Sequence, residues 1–422
     1  METRRGFIGL AAGTVLGAAA PAEAQTAGEG VARPVIDHKS AKPRNRRPYT
    51  GIDWVTAQLV NTTSHGHCLN QRMLDAYLKH NFGLITISNY YPSAPTMPGR
   101  TFRRDHYRVH HDHAVMVKGV RTAGPFDWNA IIAPQAEKLD EKFRRQLPFK
   151  EGGPLFEKWP DGLLEAPNGE HHGFLDAKGR SLGNVHMCAP GSAFKSGTFD
   201  AHNSFGTMGR GYHFGSGEFW QVAVDRMIDG LICPDGGGVT INHPRWTHLD
   251  RGLLLEMLDY DPRVLGIEVL EAGVNSENYW DWALATGRQC YGFFVPDWSI
   301  NGEVFGVNVL VVREKTIEAC LKAYRDGNFY GAAHGLGELR FTNIAFDGKT
   351  VTASTDKPAR FEVITANGVR AANEGTSVSW TLPTAKTPWE DRPNVGTDVF
   401  ARVKATAADG CGEVLFSQAF ML

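Results

Sequence analysis

The sequence predicts an α/β protein in which a parallel β/α barrel is followed by a small antiparallel β domain. Apolar strand-like runs alternate with amphipathic helical runs from about Trp54 onward. The strand runs are short and apolar throughout, which is typical of a parallel sheet covered by helices on both faces. After about Gly335 the helical runs stop, and short alternating strands with Asp-Gly and Asn-Gly turns follow. Polar residues recur where the earlier strand runs end, as at the active-site rim of a barrel, so we expect the parallel sheet to be closed.

The first 24 residues indicate an export signal. Arg4 and Arg5 precede a weakly apolar stretch rich in Gly and Ala, and an A-x-A cleavage motif ends at Ala24. The apolar stretch is too short and too rich in Gly to span a bilayer comfortably. We therefore expect twin-arginine export to the periplasm or the medium, with no stable membrane insertion after cleavage. Residues 25–50 are expected to form a linker.

We divide the rest of the chain at about residue 335. Residues 51–335 carry the barrel pattern, interrupted at about 90–217 by a segment rich in Gly, Pro, His and aromatic residues. We expect this segment to supply long loops that build a binding site over the barrel mouth. Residues 336–422 have the size of a β-sandwich module and are expected to pack against the barrel rather than to carry chemistry.

Net charge and cysteine spacing argue against a nucleic-acid-binding surface and a structural zinc site. The formal net charge is -2, and nucleic-acid binding needs a concentrated positive face, so no nucleic-acid partner is expected. The six cysteines include no CxxC pair, which argues against a structural zinc knot. Cysteines this dispersed in a large chain are expected to be single buried thiols.

Histidine and carboxylate side chains recur at the ends of the predicted barrel strands. In an extended chain residues i and i+2 point the same way, so the pair in SHGH can face one ion. Because strand ends of a barrel meet at one rim, we expect these side chains to converge. Neutral imidazoles with a carboxylate suit a divalent ion such as zinc or manganese. The expected metal ligands are His65, His67, His186, His243 and Asp297.

Six stretches of the chain resemble one known family. They are NTTSHGHCLN, GLITISNYY, GGVTINHPRW, GIEVLEAG, WALATGRQCYGFFVPDWS and AYRDGNFYGA, and they extend from about Gly51 to Ala333. The family is the PHP (polymerase and histidinol phosphatase) superfamily, in its metal-dependent phosphoesterase branch. The resemblance implies a distorted seven-stranded, TIM-like β/α barrel with up to three metal ions at its C-terminal rim. It also implies phosphoester hydrolysis.

The chain departs from the family pattern where the family binds its third metal. Asn89 and Tyr90 replace the usual Asp-His pair, Ser299 replaces the last histidine, and Met73 lies near the position of another. The resemblance therefore implies a degenerate third site and one or two ions per chain. His65, His67 and Asp297 would surround one ion, and His186 and His243 the other.

The family's bridging glutamate has no evident counterpart. Arg121 follows the nearest third strand, and either Asp112 or Asp127 could substitute for the glutamate. The run of residues 110–113, HHDH, offers further ligands or else surface histidines in a loop; the sequence leaves both readings open.

These observations predict an exported metal-dependent hydrolase that cleaves a phosphoester or related ester-like bond with a metal-activated water. His243 and Asp297 are the expected catalytic residues, and Arg245, Trp246 and Tyr90 the expected substrate contacts. The substrate would be a small molecule or glycan-linked. Two alternatives stay open: a degenerate barrel that binds a glycan without catalysis, and an amidohydrolase-type hydrolase, which also begins with an HxH pair. The oligomeric state is not predicted.

Overall fold

The computed structural model describes most of the chain after residue 34. Full description covers residues 35–68, 71–88, 156–182, 185–194, 219–297, 306–334, 337–383 and 398–422. Four short strands between residues 116 and 213 are described by their backbone alone. Several positions named above lie outside the described residues: the signal segment 1–24, Asn89, Tyr90, residues 110–113, Asp127 and Ser299.

Five helices are found in the described part of the chain, and they follow the predicted amphipathic runs. They are α1 Gln71–Lys79, α2 Trp220–Asp229, α3 Arg251–Tyr260, α4 Glu277–Ala285 and α5 Ile317–Asp326. Side-chain caps define two of the starts: Asp250 accepts from the Leu253 N–H at 2.9 Å, and Thr316 from the Ala319 N–H at 3.2 Å. None of the described helices has the length and apolar character needed to cross a membrane.

The strands are numbered in chain order. They are β1 Gln58–Thr62, β2 Leu84–Ile85, β3 Met116–Val117, β4 Val120–Arg121, β5 Leu164–Glu165, β6 Glu170–His171, β7 Met187–Cys188, β8 Thr198–Asp200, β9 Gly211–His213, β10 Val239–Ile241, β11 Val264–Glu271, β12 Val274–Asn275, β13 Tyr291–Val295, β14 Gly306–Val312, β15 Phe329–Ala333, β16 Phe341–Phe346, β17 Thr350–Thr365, β18 Gly368–Thr381, β19 Phe400–Ala407, β20 Val414–Phe416 and β21 Phe420–Met421.

A mixed six-stranded sheet contains the predicted βα units. Its order is β12-β11-β10-β7-β6, and β13 pairs with β11. β10, β11 and β13 run parallel, with α3 and α4 as their connections. Every residue of β11 and β13 is buried, as expected of strands between covering layers. The parallel pairing predicted from these apolar runs is therefore confirmed for this group.

A nine-stranded antiparallel sheet forms the other large element. Its order is β1-β14-β15-β20-β19-β17-β16, with β18 paired to β17 and β21 to β19. β1 and β14, which we expected in a parallel barrel, are antiparallel neighbours, with Gln58 opposite Val312 and Thr62 opposite Asn308. Apolar composition does not separate the two directions, because buried strands of either kind are apolar.

The described strands do not close into a barrel, so the predicted seven-stranded TIM-like barrel is not confirmed. The predicted α/β class is confirmed, since the described part of the chain combines helices with a mixed sheet and an antiparallel sheet. β20 pairs with β15, placing Phe416 opposite Gly331. The strands after residue 336 thereby extend the same sheet that contains β1 and β14.

An ion cluster joins the antiparallel sheet to the helical layer. The guanidinium of Arg402 on β19 is 1% exposed and donates two hydrogen bonds to Asp281 of α4, at 2.7 and 2.8 Å. Its Nη2 lies 3.0 Å from Glu277, and the guanidinium carbon lies 4.9 Å from the ring centre of Trp280. These contacts join β19 to α4, which precedes it in the chain by more than 100 residues. All six cysteines are free, four of them buried.

Candidate metal centre

Backbone pairing brings the first predicted histidine pair to Asp297. The chain that leaves β1 runs beside Asp297, two residues after the end of β13. The His67 N–H donates to the Asp297 carbonyl at 3.1 Å, and the Asp297 N–H donates to the His65 carbonyl at 3.3 Å. As a result, Oδ1 of Asp297 lies 2.9 Å from Nε2 of His65 and 3.3 Å from Nε2 of His67. Three residues predicted to share an ion are therefore adjacent.

The second predicted pair meets across antiparallel strands. His186 precedes β7 and His243 follows β10, and the Asn242 N–H donates to the His186 carbonyl at 3.0 Å. Nδ1 of His186 then lies 3.1 Å from Nε2 of His243. The structure places all five predicted ligands in one cluster.

Two of these residues have unusual backbone conformations. φ is 30° at His243 and 46° at Asp297. A side chain at positive φ costs free energy, and such residues concentrate at functional sites because the surrounding structure has to hold them there. The predicted catalytic residues are the cluster members that adopt this conformation.

Glu170 lies at the centre of the cluster, and the sequence analysis missed it. Its Oε2 is 3.0 Å from Nε2 of His67 and 3.3 Å from Nε2 of His65. Its Oε1 is 2.8 Å from Nδ1 of His186 and 3.5 Å from Nε2 of His243. One carboxylate thus faces both histidine groups. It lies between the two histidine groups, where a bridging carboxylate was expected and for which the sequence suggested Asp112 or Asp127.

Local hydrogen bonds explain why Glu170 points into the cluster. Its N–H donates to the Ser88 carbonyl at 2.9 Å. Two residues earlier, Asn168 donates to the Ser64 carbonyl at 2.7 Å and accepts from the Ala189 N–H at 2.9 Å. β6 is thereby fixed between the segment after β1 and the segment after β7. The only sequence signal was Gly-Glu-His-His-Gly, a carboxylate beside two imidazoles in a region without strand or helix periodicity.

His172 is a second residue that the sequence analysis missed. Its Nε2 lies 3.6 Å from Oε2 of Glu170, and its ring centre lies 3.6 Å from that of His186. Burial lowers the pKa of His172, which favours the neutral imidazole. The intervening His171 points elsewhere, with its ring stacked on Phe194 at 5.4 Å.

Glu268 lies behind His65. This fully buried carboxylate places Oε1 2.8 Å from Nδ1 of His65, and its Oε2 accepts a hydrogen bond from the His243 N–H at 2.8 Å. Nε2 of His65 is thereby directed toward Glu170. A carboxylate behind a histidine is the usual way in which a metal-binding ring is oriented.

The pKa values of the histidines reflect burial and neighbouring charge. Burial disfavours the protonated form of His65, but the charge of Asp297 and other nearby acidic groups raises the pKa of this residue well above its usual range. At His186 burial dominates and lowers the pKa to about 3. The two rings therefore respond in opposite directions within one cluster.

The carboxylates of the cluster differ in the direction of their pKa shifts. Burial alone would raise the pKa of Glu170 and Asp297, yet the histidines, His65 foremost, hold the pKa of both well below the usual range. Both are therefore anionic at neutral pH. Glu271, buried beside Asp297, has its pKa raised to about 9 by burial and by that neighbouring charge.

The donor atoms fit a divalent ion. His65, His67, Glu170 and Asp297 contribute atoms separated by 2.9–3.3 Å along four of their contacts. Ligands of a tetrahedral ion with bonds of about 2.0–2.1 Å are separated by about 3.3 Å. Imidazole nitrogen with carboxylate oxygen is the donor set of zinc and of comparable divalent ions. The cluster can therefore hold metal ions, although the donors do not select between zinc and manganese.

One of the three predicted substrate contacts, Trp246, lies at the edge of the cluster. Trp246 is 54% exposed, and its ring centre lies 5.0 Å from that of His243 and 6.1 Å from that of His186. Arg245 is exposed, and its guanidinium donates to the Asn275 carbonyl at 2.8 Å. Tyr90 is outside the described residues, as are the substitutions from which we predicted a degenerate third metal site, except Met73, which is buried in α1.

Comparisons with known proteins give a similarity of structure but not of sequence family. No known protein family and no curated protein matches the chain. Among solved structures, the chain is similar to a two-domain protein from Bacteroides vulgatus ATCC 8482 that contains a predicted PHP-like metal-dependent phosphoesterase. The two share 12% identity at a TM-score of 0.37, over 80% of this chain and 90% of the other.

Proposed function

We propose that the chain is a metal-dependent hydrolase of phosphoester or related ester-like bonds. The observation that carries this proposal is the position of Glu170, whose two oxygens face two separate histidine groups. That arrangement suits two divalent ions bridged by a carboxylate. The motif resemblance to the PHP superfamily described above supports the same reaction class.

The donor atoms form two groups, and we propose that each group holds one ion. The first position comprises His65, His67, Asp297 and Oε2 of Glu170. At the second position are His186, His243 and Oε1 of Glu170. Two cations held on either side of Glu170 would repel each other, and its shared negative charge would offset part of that repulsion. We propose zinc or manganese, one or two ions per chain.

Divalent ions at such a site supply Lewis acidity, polarising a phosphoryl oxygen and acidifying water. The chain's own residues supply the geometry. Glu268 orients His65 and holds the backbone of His243 through its two oxygens. His65, His67 and Glu170 are at most 3% exposed, so one side of the centre is closed to bulk water. The exposed ring of Trp246 lies on the open side, where a substrate would approach.

The carboxylate bridge favours this proposal over the two alternatives. Amidohydrolase-type centres use a bridging lysine, whereas Glu170 holds the bridging position here. A protein that only binds a glycan has no need of four buried histidines and a fifth, partly buried one around a charged carboxylate, because burying such groups without a ligand is costly.

Elemental analysis of dialysed protein, combined with hydrolysis of a generic aryl phosphate, tests the proposal. We expect up to two tightly bound ions in the wild type, and loss of both ions and activity in Glu170→Gln. Glu314→Gln, the same change at an exposed position after β14, should match the wild type. Full metal content in Glu170→Gln would overturn the bridging role; metal without hydrolysis of any ester would favour the non-catalytic alternative.

We further propose twin-arginine export to the periplasm or the medium, on the basis of Arg4 and Arg5. Replacing both arginines by lysine should trap the precursor inside the cell. Normal maturation of that double variant would show that the assignment is wrong.

A further inference from the structure

We propose that His172 is an additional metal ligand of this centre and completes the donor set of the second position. The inference rests on the proposed function, because it presupposes that the centre binds ions. It concerns a residue that neither the strand-end pattern nor the motif resemblance identified.

The first argument is the placement of the donors. Glu170, His172 and His186 each offer a ligand atom, and all of these atoms lie within 4.8 Å of one another. The rings of His172 and His186 approach to 3.6 Å between centres at an angle of 54° between planes. That angle is far from parallel stacking, so favourable ring stacking does not account for so close an approach. Both rings therefore offer a nitrogen atom to the same space beside Glu170.

The second argument is the direction of the chain. Side chains alternate along an extended strand, so residues 170 and 172 share a face and residue 171 takes the other. β6 pairs with β7 in a register that sets Glu170 opposite Cys188 and His171 opposite Met187. His171 accordingly stacks on Phe194, away from the cluster. The side chain of His172 lies on the same side of the strand as that of Glu170, next to His186.

The third argument is the balance of donors and charge. Without His172, the second position has three protein donors; with it, the second position has four, as many as the first. A neutral imidazole adds a donor without cancelling cationic charge. Two divalent ions against the carboxylates of Glu170 and Asp297 leave an excess of positive charge among the ligands, which favours an anionic substrate such as a phosphate ester.

The chain offers a matched control for this inference. His171 and His172 are adjacent, of the same type, and 1% and 5% exposed. We would compare His172→Gln with His171→Gln by metal content after dialysis, by titration of each apo-protein with Zn²⁺ against a chelating competitor, and by the visible absorption of the Co²⁺ form. Thermal unfolding would check that each variant is folded.

We expect His172→Gln to bind the second ion more than about tenfold more weakly, because losing even a residue that only supports a ligand costs at least that much affinity. Its Co²⁺ form should also have an altered visible spectrum. His171→Gln should keep both ions and the parental spectrum. His172→Phe retains a ring without donor nitrogens, so it should reproduce the metal loss if ligation rather than ring packing matters.

Two outcomes overturn the inference in different ways. If the wild type holds two ions and both His172 variants hold them with unchanged affinity and spectrum, His172 is not a ligand, and the proposed function stands. If the wild type binds no ion, the proposed function fails, and the inference fails with it.

Discussion

The buried carboxylate of Glu268 lies 2.8 Å from Nδ1 of His65, on the opposite edge of the ring from Glu170. The other oxygen of Glu268 accepts the His243 N–H at 2.8 Å. One side chain therefore holds a member of each histidine group. Because a ring that binds through Nε2 needs Nδ1 fixed by a partner, Glu268 sets which nitrogen faces the metal position.

Glu268→Gln should weaken metal affinity while leaving the protein folded. The amide retains the shape of the side chain but not its charge, and losing such an outer partner costs about 10–100-fold in affinity. Zn²⁺ titration of the apo-protein would measure the change. Glu256→Gln, the same substitution on the exposed side of α3, is the control. Equal affinity in both variants would show that Glu268 does not orient the ring.

His65→Ala and Asp297→Asn should each yield soluble protein with reduced bound metal and little hydrolysis of generic phosphoesters. His65→Ala removes a donor nitrogen, and Asp297→Asn removes the charge of the donor oxygen that lies 2.9 Å from that nitrogen. Metal content is the stricter readout, since the wild type can be slow on such substrates. The exposed His248 provides the control variant His248→Ala. Should both site variants keep the parental metal complement, the HGH pair does not bind metal.

Trp246→Ala should raise KM without changing metal content. The exposed ring sits beside His243 and His186 but offers no metal donor. An aromatic contact contributes about 0.5–1.5 kcal/mol beyond its buried area, which corresponds to an increase of about two- to twelvefold. Steady-state kinetics on an aryl phosphate would test this, with Phe219→Ala, another exposed aromatic, as control. A fall in bound metal would instead assign Trp246 a structural role.

Glu277→Gln should destabilise the protein at neutral pH and have less effect in acid. Burial opposes ionisation of Glu277, but the charges of Arg402 and Lys404 hold its pKa below the ordinary value of 4.5. A carboxylate with a lowered folded pKa contributes stability above its unfolded pKa and loses it as pH falls through the folded pKa. We expect a loss of about 1.5–3 kcal/mol at pH 7, as for hydrogen bonds to charged groups.

Thermal unfolding at neutral pH and again well below pH 4 would test that expectation. Glu338→Gln removes an exposed partner of Lys357 and should have little effect at either pH, because surface ion pairs contribute little. A destabilisation of Glu277→Gln that stays undiminished in acid would mean that its charge is not what stabilises this interface.

The sequence by itself determined the α/β class and five residues of the candidate centre. Helical and strand periodicity is a local property, and His65, His243 and Asp297 each follow a short apolar run that the structure confirms as a strand. A polar residue at such a point is visible without knowing the neighbouring strands. That is why the sequence alone could indicate His65, His243 and Asp297.

Only the tertiary structure decided the strand directions and the centre of the cluster. β1 and β14 pair across some 250 residues, and no local pattern encodes which neighbour a buried strand meets or in which direction. Glu170 and His172 lie in a segment whose sequence has no periodicity. Its backbone is positioned by a hydrogen bond to the Ser88 carbonyl, by hydrogen bonds of the Asn168 side chain and by the two-residue strand β6. Their function depends on what surrounds them in space, since a carboxylate becomes a bridge only when distant parts of the chain place histidines on both of its oxygens.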